Sequence, residues 1–166
     1  MGQMNDLRCP KCGYRTHLRL GVGFLYPEVF AEAQEKGKRG DFGEDIKEFF
    51  EEYPNGVIDP VPVIMRCEKC GDYTSVDALT MYIPDETKVR KKKSRGAWSI
   101  AMPYYDADYV APGEFKEYYK VYKKYPHTCK KCNGKLKSPS NFDMKKLECP
   151  RCKHKYLEEW MIAFWD

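Results

Sequence analysis

The chain has 166 residues, 33% of them charged and 14% aromatic, and a formal net charge of +4. No run of about eighteen apolar residues suggests a membrane span, and the opening MGQMNDLRCP has no apolar stretch to serve as a secretory signal. Composition points to a soluble, cytoplasmic protein of one ordinary domain or two small ones, and argues against disulfides, which need an oxidising compartment.

Residues 1–8 read as a short tail leading to Cys9-Pro10-Lys11-Cys12-Gly13. Beyond it, Tyr14–Leu20 has strand composition, and Gly21 and Gly23 break the strand. Residues 26–53 predict a helical hairpin. Pro27 suits a helix start, Val29, Phe30 and Ala33 share a face, and Gly37 and Gly40 end the first helix. In the second, from about Gly43 to Tyr53, Phe42, Ile46, Phe49, Phe50 and Tyr53 recur at helical spacing. Asp41, with Glu44 three residues on, reads as its capping box.

Pro60 and Pro62 limit the start of Val57–Arg66 to an edge or irregular extended segment. Val63–Arg66 becomes a strand entering Cys67-Glu68-Lys69-Cys70-Gly71, and Tyr73–Ile83 reads as the strand that completes the sheet. Residues 84–97 concentrate Lys88, Arg90, Lys91, Lys92, Lys93 and Arg95. The plain reading is a solvated linker. The functional one makes Arg90, Lys91, Lys92, Lys93 and Arg95 nucleic-acid phosphate contacts.

Trp98–Tyr109 is aromatic and irregular. A third helix is expected over Gly113–Tyr125, with Phe115, Tyr118, Tyr119, Tyr122 and Tyr125 as its apolar stripe. Cys129-Lys130-Lys131-Cys132 follows, then a hairpin over Lys135–Leu147 and Cys149-Pro150-Arg151-Cys152. The last stretch, Tyr156–Trp165, is a strand apolar on both faces, either buried or exposed for a partner.

All eight cysteines fall in four Cys-x-x-Cys elements. Two thiolates three positions apart can reach one ion if the chain turns tightly between them, and zinc takes four soft thiolates in a tetrahedron. Gly13, Gly71 and Asn133-Gly134 tolerate the left-handed backbone such a turn needs. Lys153 stands where the fourth element lacks that glycine, so its turn is expected to differ. The last two elements are sixteen residues apart, inside the range of a four-thiolate zinc site.

Chain order assigns Cys9, Cys12, Cys67 and Cys70 to one ion, closing a loop of fifty-four residues, and Cys129, Cys132, Cys149 and Cys152 to the other. The argument is loop-closure cost, which rises with length. The alternative is crossed, with the first and last elements sharing an ion. Iron in a rubredoxin-like site is the other metal that four thiolates suit. Two zinc ions and eight thiolates would bring the net charge to about 0. Charge is polarised along the chain: residues 28–59 hold ten acidic and four basic side chains, residues 84–157 nineteen basic and eight acidic.

The knuckles CPKCG and CPRC, with the spacing of the last pair, resemble the zinc-ribbon superfamily. The whole outline is similar to a group of small bacterial double-zinc-ribbon proteins. Cys9-Cys12-Gly13, Gly21-Val22-Gly23, Cys67-Cys70-Gly71, the last four cysteines and Trp165-Asp166 carry that resemblance. It implies the eight thiolate ligands and brings no activity with it.

The expected fold is α+β: a zinc ribbon over 1–83 with a helical insert at about 26–53, a basic and aromatic linker over 84–112, and a helix plus second ribbon over 113–166. The expected role is a non-catalytic, structural-zinc module or adaptor that recognises a protein or a nucleic acid. The alternatives are an iron redox protein and an enzyme with a site between the ribbons. Two closed four-thiolate sites would use every cysteine and leave no open metal position for water. His127 and His154, beside cysteines, could each replace one as ligand, but read rather as exposed or as hydrogen-bond donors to the ligands.

Overall fold

The computed structural model describes residues 2–23, 26–88, 100–101, 109–110, 115–139 and 146–165. The basic run Arg90–Arg95 and residues 140–145 of the expected hairpin lie outside them. Among the described residues the architecture is mixed α+β, with three small three-stranded antiparallel sheets and a short two-stranded pair. The chain divides into two units, and neither is a continuous stretch. One comprises Met1–Gly23, Val61–Asp77 and Pro126–Asp166; the other comprises Phe24–Pro60 and Ala78–Tyr125. These limits cut across the division at 83 and 113 expected from sequence.

In the first unit, β1 (Gly2–Arg8) is the central strand of a sheet ordered β11-β1-β2, with β2 at Arg15–Leu20 and β11 at Glu158–Trp165. The expected N-terminal tail is therefore a strand. Its partner β11 comes from the other end of the chain, pairing Gly2 with Trp165 and Arg8 with Glu158. Polar residues on the strand, Asn5 and Asp6, are themselves buried, so apolar alternation could not announce it. A second sheet joins β4 (Pro62–Cys67) to β5 (Tyr73–Asp77) on one side and to β10 (Leu136–Lys137) on the other. Leu7, Leu18, Ile64, Tyr73, Leu147 and Leu157 form a core with Cys9 and Cys149.

In the second unit, α1 (Tyr26–Arg39) and α2 (Glu44–Glu52) form the expected hairpin. Helix α1 runs through Gly37, where an added Cβ would lie 2.5 Å from the Phe50 ring, and gives way at Gly40, whose φ is +85°. The capping box does not form. Gly43, with φ 105°, is the N-cap of α2 and no side chain caps it. Asp41 instead pairs with Arg39 at 2.8 Å and Glu44 with Lys47 at 3.2 Å.

Residues Tyr73–Ile83 do not make one strand. Leu79 takes φ 48° and donates its N–H to the Asp59 carbonyl at 2.8 Å. The chain then starts β6 (Thr80–Pro84), which lies between β3 (Val57–Asp59) and β9 (Tyr119–Lys123). The third helix is likewise a correction. Only α3 (Phe115–Tyr118) is helical, and β9 continues directly from it, antiparallel to β6. Tyrosine and valine favour a strand when an edge is available. Tyr119 is buried, whereas Tyr122 packs at 4.9 Å from Tyr53 and 5.5 Å from Phe49, ring centre to ring centre. The remaining strands, β7 (Ile100–Ala101) and β8 (Tyr109–Val110), pair with each other.

Candidate metal centres

Each Cys-x-x-Cys element folds into the same turn. The residue after the second cysteine donates its N–H to the carbonyl of the first: Gly13 to Cys9 at 3.0 Å, Gly71 to Cys67 at 2.9 Å, Asn133 to Cys129 at 2.8 Å and Lys153 to Cys149 at 3.0 Å. The first cysteine's N–H closes the loop on the carbonyl five residues on, as Cys9 does to Tyr14 at 2.8 Å. The pivot residues take left-handed φ values of 69°, 76°, 54° and 62°. Lys153 thus adopts the conformation that glycine supplies elsewhere, and the fourth turn matches the others. The expectation of a different turn there is overturned. For a non-glycine residue that conformation costs roughly 1–2 kcal/mol.

The four turns meet in crossed pairs. Cys9, Cys12, Cys149 and Cys152 form one quartet; Cys67, Cys70, Cys129 and Cys132 form the other, with all four sulfurs of each within 4.8 Å of one another. The chain-order grouping of Cys9, Cys12, Cys67 and Cys70 and of Cys129, Cys132, Cys149 and Cys152 is corrected to the crossed one. The physical reason is strand pairing. Strand β11 on β1 brings the last element to the first, and β10 pairs Leu136 with Cys67 and Lys137 with Arg66, bringing the third to the second. Loop-closure cost grows only logarithmically. Replacing loops of 54 and 16 residues by loops of 136 and 58 costs about 2 kcal/mol more in total, which two strand pairings and a buried core can offset.

The sulfurs fit a metal. Zinc–sulfur bonds of about 2.3 Å in a tetrahedron put sulfurs about 3.8 Å apart. Sulfur–sulfur distances between the meeting turns are 3.5 Å for Cys9 to Cys152, 3.6 Å for Cys12 to Cys149, 3.4 Å for Cys67 to Cys132 and 3.8 Å for Cys70 to Cys129. A disulfide would need about 2.05 Å, and all eight thiols are free. Rubredoxin-like iron would suit the same donor set. No histidine joins either quartet. His154 offers its backbone carbonyl to the Cys149 N–H at 2.8 Å, and His127 offers its carbonyl to the Leu136 N–H at 3.0 Å.

The thiols within each quartet are unlike. The Cys70 N–H, 3.4 Å from the Cys67 sulfur, leads the effects that lower the Cys67 pKa to about 6. Burial works against ionisation of Cys9, but the N–H groups of Cys12 and Lys11 outweigh it and bring that thiol to about 7. Cys12 and Cys70 are driven the other way. The Tyr14 N–H favours the Cys12 thiolate and the Asp72 N–H that of Cys70, yet burial and three neighbouring thiols push each to about 12. Four close sulfurs cannot all hold charge without a cation, so loading an ion releases protons.

A carboxylate ties the two centres together. Asp72, just beyond the Cys67–Cys70 turn, accepts from the Tyr14 hydroxyl beside the first quartet and from Lys131 inside the second. Burial and the Asp72 carboxylate raise the Tyr14 pKa well above its usual range, so the phenol stays protonated and donates. Sequence gave no sign of this link, because Tyr14, Asp72 and Lys131 are far apart in the chain. A groove of about 620 Å³ opens beside the second quartet, lined in part by Arg66, Lys69, Cys70, Lys137 and Lys153. Its cations are largely matched: Arg66 and Lys153 by Glu148 at 3.5 and 3.8 Å, Lys137 by Glu68.

Gly134 leaves less room for a side chain than Gly13 or Gly71, the other glycines of the turns. A Cβ there would sit 2.7 Å from Lys69 Cβ, 2.9 Å from Cys67 Sγ and 3.3 Å from Cys132 Sγ. Gly134→Ala should therefore weaken the second centre selectively. In a chelator titration one of the two ions should leave at a chelator concentration at least about tenfold lower than in the parent chain, a change of about 1.4 kcal/mol. Gly13→Ala meets open space and should cost only the strain of its left-handed φ.

No family model, no curated protein and no solved structure matches this chain. No helix among the described residues is long and apolar enough to cross a membrane.

Proposed function

We propose that the chain is a structural zinc module of zinc-ribbon type: two ions hold the first unit together, and its surface recognises a partner. The observation that carries this reading is the closure of all eight thiols into two quartets. Every cysteine is spent on holding the fold, and neither quartet keeps a position for water or substrate. Elemental analysis should find about two zinc ions per chain in a colourless sample. A red sample with visible absorption would assign iron and move the reading to electron transfer.

The partner we infer to test first is a nucleic acid. The first unit holds fifteen basic and nine acidic side chains, the second fourteen basic and sixteen acidic. Two ions with eight thiolates take four charges from the first unit and leave it net positive. Arg90, Lys91, Lys92, Lys93 and Arg95 add the densest run of cations in the chain. Binding to single-stranded DNA or RNA should weaken steeply with salt, and the combined Lys91→Ala, Lys92→Ala and Lys93→Ala variant should reduce the slope of log affinity against log salt by about 2–3. No binding by the metal-loaded chain at low salt would contradict the nucleic-acid arm and assign the surface to a protein.

A further inference from the structure

We infer that β11 is the contact through which two copies of this chain pair, antiparallel and edge to edge, joining their β11-β1-β2 sheets into one. Among the described residues, strand β11 is an edge strand bonded to β1 alone. Trp160 is 56% exposed, Met161 52%, Ile162 49% and Phe164 57%. The register shift between Met4 and Asn5 leaves Ile162 without a partner on β1, and the unbroken apolar run 160–165 makes both faces of the strand apolar.

Exposed edges are ordinarily guarded by charge, proline or a covering segment. The opposite edge of the same sheet obeys this. Strand β2 carries Arg15, His17 and Arg19, and the Arg19 N–H is tied to Ser75 Oγ at 2.7 Å. Residues 160–165 contain no charge, no proline and no glycine. An edge built this way is compatible with water only when something covers it.

Area and charge favour a second copy of the chain. Side chains of this size span roughly 150–250 Å². Four at half exposure offer on the order of 400 Å² per copy, hence about 800 Å² for the pair. The paired backbones and flanking residues bring the total towards the ~1,200 Å² of the smaller stable interfaces. The acidic residues of β11, Glu158 and Glu159, stand at its N-terminal end. Two-fold antiparallel pairing keeps the two Glu158-Glu159 ends apart, whereas parallel pairing would set glutamate against glutamate. Two-fold symmetry is also the commonest closed arrangement of identical chains.

The test is the mass of the full, metal-loaded chain in solution, by light scattering or sedimentation across a concentration series. The expected result is a species of twice the 19.5 kDa chain mass that dissociates on dilution. Ile162→Lys and, separately, Trp160→Lys should each weaken pairing at least about tenfold with metal content unchanged. Amide exchange over residues 160–164 gives a second readout that does not depend on either variant, with protection rising with protein concentration. A chain that stays monomeric throughout the series overturns the inference. So does a dimer that both variants leave intact, or amide protection indifferent to concentration.

Discussion

Stripping the ions with a strong chelator should unfold the first unit. Strand signal and the tertiary environment of Tyr14 and Tyr73 should be lost together, and restored on adding zinc. The reason is how little else holds that unit near its centres. Around the second quartet the buried cluster among the described residues is Cys67, Cys129 and Leu136, so Leu136 is its one member that is not a ligand. Around the first, Cys9 and Cys149 are themselves part of the core. A structural zinc site contributes apparent binding free energy of about 10–16 kcal/mol, and a whole domain is stable by about 5–15 kcal/mol. Loss of both ions therefore exceeds what the apolar core can offset. Cys67→Ser should behave like partial stripping, whereas removing an exposed charge such as Lys47 should shift stability by about 0.5 kcal/mol at most. Spectra unchanged after complete metal removal would contradict the structural role.

Phe49→Ala should destabilise the second unit by about 3–5 kcal/mol and leave the metal content of the chain at about two ions. Phe49 is buried among Ala33, Ile46, Phe50, Ile58, Leu79 and Met81. Its ring meets Phe50 edge-on at 5.2 Å and lies 5.7 Å from Tyr53. Gly56 makes room for it, since a Cβ there would fall 2.4 Å from the ring. The cavity left by alanine would be walled by both helices and the β3-β6-β9 sheet, none of which can collapse into it freely. The expected reading is helical signal that melts at lower temperature, with no ion released at the temperature where the parent chain is intact. Release of both ions by the substitution at ambient temperature would contradict this assignment.

Local chemistry was legible in the sequence; long-range pairing was not. The ligand type, three of the four turns and the helical hairpin follow from neighbours within a few residues; the fourth turn does not, because a lysine, Lys153, takes the positive φ that glycine or asparagine takes elsewhere. The knuckles need cysteines three apart with a pivot that tolerates positive φ, and α2 needs Ile46, Phe49 and Phe50 on one face. Strand β1 was illegible because its inner residues include Asn5 and Asp6, and because β11 reaches it from the far end of the chain. Strand β9 was misread because Tyr118, Tyr119 and Tyr122 fit a helical stripe as well as a strand, and β6 supplied an edge. The crossed quartets follow from the same cause: β1 with β11 and β4 with β10 decide which knuckles meet.

Metal stoichiometry in paired cysteine substitutions tests the crossed arrangement most directly. Cys9→Ser with Cys149→Ser disables one centre and should leave about one zinc ion per chain by elemental analysis, whereas Cys9→Ser with Cys67→Ser disables both and should leave close to none. The opposite pattern, about one ion in the Cys9 and Cys67 pair and none in the Cys9 and Cys149 pair, would contradict it.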